Sequence, residues 1–440
     1  MSFITDKQTL EDLNILGKFK AHSIFSLYNQ VHTTGGERLL DEMFRHPLSD
    51  AEEINNRSGL FQYFQEKAYV FPFPKSLFEA SENYLSMATA GSQVIATAAM
   101  FRRKLMKTAV RDQQYDQMHD GLVATIEMLN VLSGFLKQLE QKDASSHLLQ
   151  FHALQKILSD QRLQWLPASR HKKELSPLQM GKFHHLLLHV FRDEMNTILQ
   201  AIYFLDVCIA VSNVARTRGF SYAQALPQEA NCFRSAALSH PGLEKAVANP
   251  IAFDQHENLL FLTGANMAGK STFMKAFGIA VYMAHMGFPV AAKEMVFSVR
   301  DGLYTSINVP DNLNMGYSHF YAEVLRVKQV ATEVSNGNDL VVIFDELFKG
   351  TNVKDAYDAT LSVTEAFSEY RNCFFIISTH IIEVGDALQQ TGKHIQFGYL
   401  PTVMEGPIPR YTYQLSKGIT NDRQGMMIIE NEGIVKMLQG

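Results

Sequence analysis

Apolar residues recur at two different periods along this chain, and the change falls near residue 235. From Leu187 onward, Leu187, Phe191, Met195, Ile198, Ile202, Leu205 and Ile209 step by three or four positions, with Arg192, Asp193 and Glu194 between them. That spacing predicts one face of a long helix. A second helical region is predicted from about Ser81 to Leu139, and it contains the cationic run Arg102, Arg103, Lys104 and Lys107. Pro167, Pro177 and the polar stretch from Arg170 to Glu174 mark loops between helices. Beyond residue 235 the apolar residues come in short uninterrupted runs, Leu259–Thr263, Leu340–Phe344 and Cys373–Ser378, each followed by a loop and a helical pattern. Such runs predict strands buried on both faces, and strands alternating with helices predict an α/β domain. The stretch Phe277–Ala292 predicts a buried helix running into a strand. The expected fold class is multidomain, α and α/β, with a helical domain over 1–235 and an α/β domain over 236–440.

The α/β half carries the chemistry. Gly264, Gly269, Lys270 and Ser271 occupy every fixed position of the pattern G-x-x-x-x-G-K-[ST], with Ala265, Asn266, Met267 and Ala268 between the glycines. A predicted strand precedes it, and an amphipathic segment from Thr272 to His285 follows. The glycines let successive backbone N–H groups turn toward phosphate oxygens, and the helix N-terminus adds partial positive charge. Lys270 is expected to neutralise the β- and γ-phosphates of a nucleotide, and Ser271 to ligate Mg²⁺. Such a loop requires a carboxylate at the end of a nearby strand. The run Leu340–Phe344 delivers Asp345 there to hold Mg²⁺, directly or through water, with Glu346 next to it as acceptor of a proton from the attacking water. The third strand ends in Ser378, Thr379 and His380, so His380 is expected to sense the γ-phosphate or orient that water.

These residues resemble the ATPase domain of the MutS family, the DNA mismatch-recognition ATPases related to the ABC type. The resemblance rests on the P-loop Gly264–Ser271, on Asp345 and Glu346 continuing into Gly350, Thr351 and Asn352, and on Thr379 and His380. It also rests on Asp311, Gly316, Ser318, Phe320 and Glu323, which match a D-x-L-x-x-G-x-S-T-F-x-x-E signature with His319 in place of its Thr. His240 and Pro241 resemble the His-Pro that opens the domain. Leu13, Asn14, Thr34–Leu40 and His46–Leu48 resemble the start of the family's helical core, and the helix from Leu205 to Arg216 resembles its lever. The resemblance implies a helical lever domain followed by an ABC-type P-loop ATPase, with ATP and Mg²⁺ bound at Gly264–Thr272. It implies that Ser318 reaches the γ-phosphate held by an opposite subunit, hence a homodimer closing as a clamp. It places Ile251 where the family stacks an aromatic ring on adenine. The mismatch-reading and connector domains are expected to be absent, since the resemblance begins at the lever.

Charge and composition alter this picture in two places. The formal net charge of −5 and pI near 6.3 exclude a globally basic nucleic-acid binder, so DNA contact must come from a local face. Arg102, Arg103, Lys104, Lys107 and Arg111, or Arg170, Lys172 and Lys173, are the candidates. DNA is thus the expected partner through the resemblance. An ATP-switched scaffold for a protein partner, with no DNA role, is the alternative. Cys208, Cys232 and Cys373 have no metal-ligand spacing and fit a reducing compartment. The N-terminus shows no export signal, and no membrane role is expected, which together give a cytoplasmic protein.

Overall fold

The computed structural model describes residues 3–17, 22–86, 113–140, 149–171, 174–265, 267–307, 319–391, 393–405, 408–420 and 437. The chain forms two compact units. One comprises Met1–Tyr28, Met43–Gly59 and Val214–Gly440, and the other Asn29–Glu42 and Leu60–Asn213. A cut at 235/236 divides the chain by texture, but the compact units interleave in sequence. The reason is apolar: Phe3, Leu13 and Ile15 are buried in the strand-bearing unit, and Leu13 packs against Gly278.

The helical unit follows the predicted periodicity. All seven residues of the Leu187–Ile209 stripe are buried. The helix is not continuous, however. Leu186–Val190 is one π-helical turn, Phe191 leaves helical geometry at φ −110, ψ 27, and the α-helix proper is Arg192–Arg218. Pro177 does not sit in a loop: it takes the first turn of the helix Pro177–His185, where its missing N–H costs nothing, behind a Ser176–Gln179 capping box. Pro167 likewise opens a 3₁₀ turn. Asp206, fully buried, gathers the chain just before the helix Thr34–Arg45 by accepting from His32 N, Thr33 N and Thr33 Oγ1 at 2.8–3.0 Å. Among the described residues two helices, Tyr115–Leu139 and Arg192–Arg218, are long and apolar enough to cross a membrane; 50% and 72% of their apolar windows are buried inside the protein, and the second is thus a core helix.

The other unit contains two sheets and a small hairpin. Strands are numbered β1 Gln224–Leu226, β2 Phe233–Leu238, β3 Asn249–Phe253, β4 Leu259–Gly264, β5 Met295–Ser298, β6 Gly302–Ser306, β7 Leu340–Phe344, β8 Phe374–Ser378, β9 Ile395–Leu400, β10 Thr402–Glu405, β11 Ile408–Tyr411 and β12 Ser416–Lys417. The six-stranded sheet runs β12-β9-β4-β8-β7-β6, parallel except for β12; the four-stranded sheet runs β1-β5-β2-β3; β10 and β11 form the hairpin. Strands β4, β6, β7 and β8 are buried at every position, which explains why β4, β7 and β8 read as apolar runs; β6, Gly-Leu-Tyr-Thr-Ser, shows no such run.

The helix Lys270–His285 is buried on all sides rather than amphipathic. Phe277 meets Phe233 and Phe253 of the small sheet, while Gly278 leaves room for Ile343 of β7 and for Leu13. After it the chain makes a single bridge at Val290 to Ser221, not the expected strand; β5 starts at Met295.

Candidate functional site

The parallel strands bring three C-terminal ends together, as open α/β sheets do. Gly264 ends β4, Asp345 follows β7, and Ser378 ends β8. Gly264 has φ 140 and Gly269 φ 101, values that glycine adopts without penalty. A side chain at Gly269 would also lie 3.0 Å from the Tyr413 ring. Met267, between them, is left-handed at φ 69 and exposed, while Ala268 is buried. Lys270 is the first residue of the helix, and its buried ammonium donates to Gly264 O at 2.8 Å and Ala265 O at 3.3 Å. Burial lowers the Lys270 pKa below the ordinary lysine value, against the pull of Glu346 and Asp345.

Ser271 Oγ donates to Asp345 Oδ2 at 2.5 Å, and Ser378 Oγ donates to Asp345 Oδ1 at 2.5 Å. The Asp345 backbone N–H is held by Ser306 O of β6 at 2.9 Å. The carboxylate is therefore fixed at both oxygens and at its backbone. Glu346 adopts φ 57, a left-handed conformation costing about 1–2 kcal/mol for a residue with a Cβ. Its N–H reaches Ser378 O and Oγ, both at 3.1 Å, which holds the strained turn. That turn sends the Glu346 side chain to His380, where Oε1 and Nε2 are 2.5 Å apart. The hydrogen bond from His380 lowers the Glu346 pKa more than any other favourable contact, against desolvation, with smaller help from Lys270 and Lys349.

A cavity of about 470 Å³ opens beside this cluster. Its lining includes Lys270, Ser271, Thr272 and Glu346, the loop residues Ala265, Met267 and Gly269, and Leu238, His240, Leu243, Lys245, Val247, Asn249, Phe273 and Tyr413. Burial, with Lys275 nearby, lowers the His240 pKa. Sequence reasoning missed Tyr413 and Asn249. Asn249 Nδ2 donates to Tyr413 O at 2.9 Å and its Oδ1 accepts from Leu415 N at 2.7 Å, so β3 fixes the turn carrying Tyr413. No local motif marks a contact spanning 164 residues.

Ile251 is a correction. It was expected against the base, but β3 pairs it with Ser235 of β2 and buries it beside a different cavity, with Leu260 and Phe397. The aromatic rings lining the P-loop cavity are Phe273 and Tyr413, and Tyr413 is the one beside the loop at Gly269. Asn266, Ser318, Arg102, Arg103, Lys104, Lys107, Arg111, Lys172 and Lys173 lie outside the described residues. Arg170 is described; it is half-exposed and 3.9 Å from Glu127. No cluster of three or more metal-ligating His, Cys, Asp or Glu occurs among the described residues.

Family comparison bears on this arrangement over most of the chain. Residues 8–212 match the model for MutS domain III and residues 260–438 that for MutS domain V. The chain belongs to the MutS family. Its helical region is MutS domain III, and its strand-bearing region is MutS domain V, the ABC-type ATPase domain of the family. Among curated MutS proteins, each named DNA mismatch repair protein MutS, that of Leuconostoc mesenteroides is 22% identical over 99% of this chain and 61% of its own length. That of Streptococcus uberis is 26% identical over 57% of this chain and 31% of its own, and that of Geobacillus thermodenitrificans 26% over 54% and 26%. This MutS-family chain thus spans less than two thirds of the length of each of these relatives.

Proposed function

We propose that this chain binds ATP with Mg²⁺ in the cavity beside Lys270 and hydrolyses it to ADP and phosphate. The observation that supports this best is the convergence of Lys270, Ser271, Asp345, Glu346 and His380 at the ends of three parallel strands. The donor set at Ser271 and Asp345 fits Mg²⁺: two hard oxygens, 2.5 Å apart, at a strand end. When bound there, Mg²⁺ would neutralise charge on the phosphate oxygens. The loop Gly264–Gly269 turns backbone N–H groups toward phosphate, and Lys270 adds a full positive charge. Glu346, kept ionised by His380, accepts the proton of the attacking water. Tyr413, Leu243 and Val247 offer apolar surface to the base. Phosphoryl transfer asks the protein mainly for such positioning and charge stabilisation.

In this reading Ser318 completes the site of a second copy, so ATP closes a homodimer and hydrolysis opens it. The MutS relatives are named for DNA mismatch repair, and DNA is the partner this reading assigns, through Arg102, Arg103 and Lys104. The net charge of −5 favours a second reading, an ATP-switched scaffold for a protein partner without DNA contact. Three cysteines, none of them in a disulfide, suit a cytoplasmic protein in either case.

Turnover measured by phosphate release tests the first claim. Lys270→Ala is expected to lose at least about 100-fold in kcat/KM, and unchanged turnover would defeat it. Gel shift with duplex and branched DNA at rising salt separates the two readings: binding that weakens steeply with salt, and that is lost on replacing Arg102, Arg103 and Lys104 together, supports the DNA clamp.

A further inference from the structure

Strand β6 is the outermost strand of the six-stranded sheet, and its free edge is closed by the N-terminal segment rather than by another strand. Ile4 forms a parallel bridge with Gly302: Ile4 N donates to Asp301 O at 2.7 Å, and Leu303 N to Ile4 O at 2.9 Å. A Cβ at Gly302 would lie 2.4 Å from Ile4 O, so the approach requires glycine. Beyond Ile4 the chain turns into the helix Lys7–Asp12, and side chains take over the pairing. Thr305 N donates to Thr9 Oγ1 at 3.0 Å, and Ile307 N to Asp12 Oδ2 at 2.9 Å. Thr305 Oγ1 also donates to Asp12 Oδ2, at 2.8 Å. The outward N–H groups at 303, 305 and 307, two residues apart as a strand demands, thus end on a carbonyl, a hydroxyl and a carboxylate of one short segment. Arg326 joins the same edge. It donates to Thr305 O at 3.1 and 2.6 Å and pairs with Asp6. Thr9 and Asp12 are buried.

The opposite side of the same strand end faces the site. Ser306, between the two pinned residues, accepts the N–H of Asp345 at 2.9 Å, and Asp345 in turn takes Ser271 Oγ. We infer that Asp12 and Thr9 are positioning residues for Asp345: the N-terminal helix fixes the end of β6, and β6 sets the height of the carboxylate against Ser271. The inference rests on the ATPase reading above and adds a regulation to it, since any partner or chain motion that draws Lys7–Asp12 away would loosen the backbone hold on Asp345 while Ser378 still holds its carboxylate.

Asp12→Ala removes the acceptor of Ile307 N and Thr305 Oγ1; Asp12→Asn keeps one oxygen there. Asp12→Ala is expected to lower kcat by about 10- to 100-fold, the size of effect that small misplacements of a reacting site produce. It is also expected to raise the Mg²⁺ concentration for half-maximal turnover. Affinity for Mg²⁺-free ATP, by calorimetry, should stay within about twofold, because the phosphate loop is untouched. Mn²⁺ binding in the presence of ADP, read by electron paramagnetic resonance, should weaken about tenfold, as when a support of a metal ligand is lost. Asp12→Asn should recover part of both losses. A purely structural role would lower the melting temperature without moving the Mn²⁺ affinity. Should Asp12→Ala fail to fold, Thr9→Val, which removes the acceptor of Thr305 N and of Arg326 but leaves the Asp12 carboxylate in place, is expected to give the same Mn²⁺ shift at smaller size. A folded Asp12→Ala or Thr9→Val protein with wild-type Mn²⁺ affinity and kcat overturns the inference. Wild-type protein without nucleotide binding or turnover would instead overturn the ATPase reading on which it rests.

Discussion

His380 is 40% exposed, yet it sets the charge of a neighbour that is more protected. Its hydrogen bond lowers the Glu346 pKa, so Glu346 stays ionised below the pH at which an ordinary glutamate takes up a proton. A depressed carboxyl contributes its favourable interaction above its unfolded pKa and loses it as pH falls through the folded one. The acid limb of kcat/KM, if Glu346 is the base, is therefore expected below the ordinary glutamate range. In His380→Ala the limb should move to higher pH, because the largest lowering contact is gone. A pH–rate profile of both proteins checks this; an unmoved limb would remove Glu346 from the role of base. On the alkaline side, burial lowers the Lys270 pKa, so the loss of its charge is expected below the ordinary lysine range.

Single elements carry much of the stability through a few buried polar groups. Asp206 lies inside the helix Arg192–Arg218 and gathers the N–H groups of His32 and Thr33 just before the helix Thr34–Arg45. Deleting its carboxylate leaves the Thr33 donors buried without that acceptor, while His32 is exposed. Asp206→Ala is expected to cost roughly 1–3 kcal/mol, the penalty for leaving buried donors unsatisfied, measured by urea denaturation of the whole chain. A cost under about 1 kcal/mol would mean that water replaces the carboxylate. The same logic explains the break at Phe191. A continuous stripe of apolar residues requires only that each reach the core, and a π-helical turn satisfies that as well as an α-helical one.

At the scale of the whole molecule, the proposed cycle links nucleotide state to association. Glu346→Gln should bind ATP but hydrolyse it slowly, and so accumulate a dimer. Sedimentation velocity with ATP and Mg²⁺ is expected to show that dimer, and adding Ser318→Ala is expected to return it to monomer. A Glu346→Gln protein that stays monomeric at saturating ATP contradicts the closing step. Met267, exposed on the rim of the cavity, supplies apolar surface that such association would cover.

The sequence alone determined the strands β4, β7 and β8 and the loop Gly264–Ser271, because each is a local pattern: an unbroken apolar run, or fixed spacing between a turn glycine and a helix N-terminus. It likewise marked Asp345, Glu346 and His380, since a strand's end is visible where its apolar run stops. Tertiary structure alone decided what completes the site. Tyr413 and Asn249 meet the loop through contacts between segments far apart in the chain, and Ile251, placed there by analogy, is drawn away by its pairing with Ser235. The interleaving of Phe3–Tyr28 with the ATPase sheet was equally unreadable, because hydrogen bonds from one strand edge to Thr9 and Asp12 have no period and no spacing for a sequence to show.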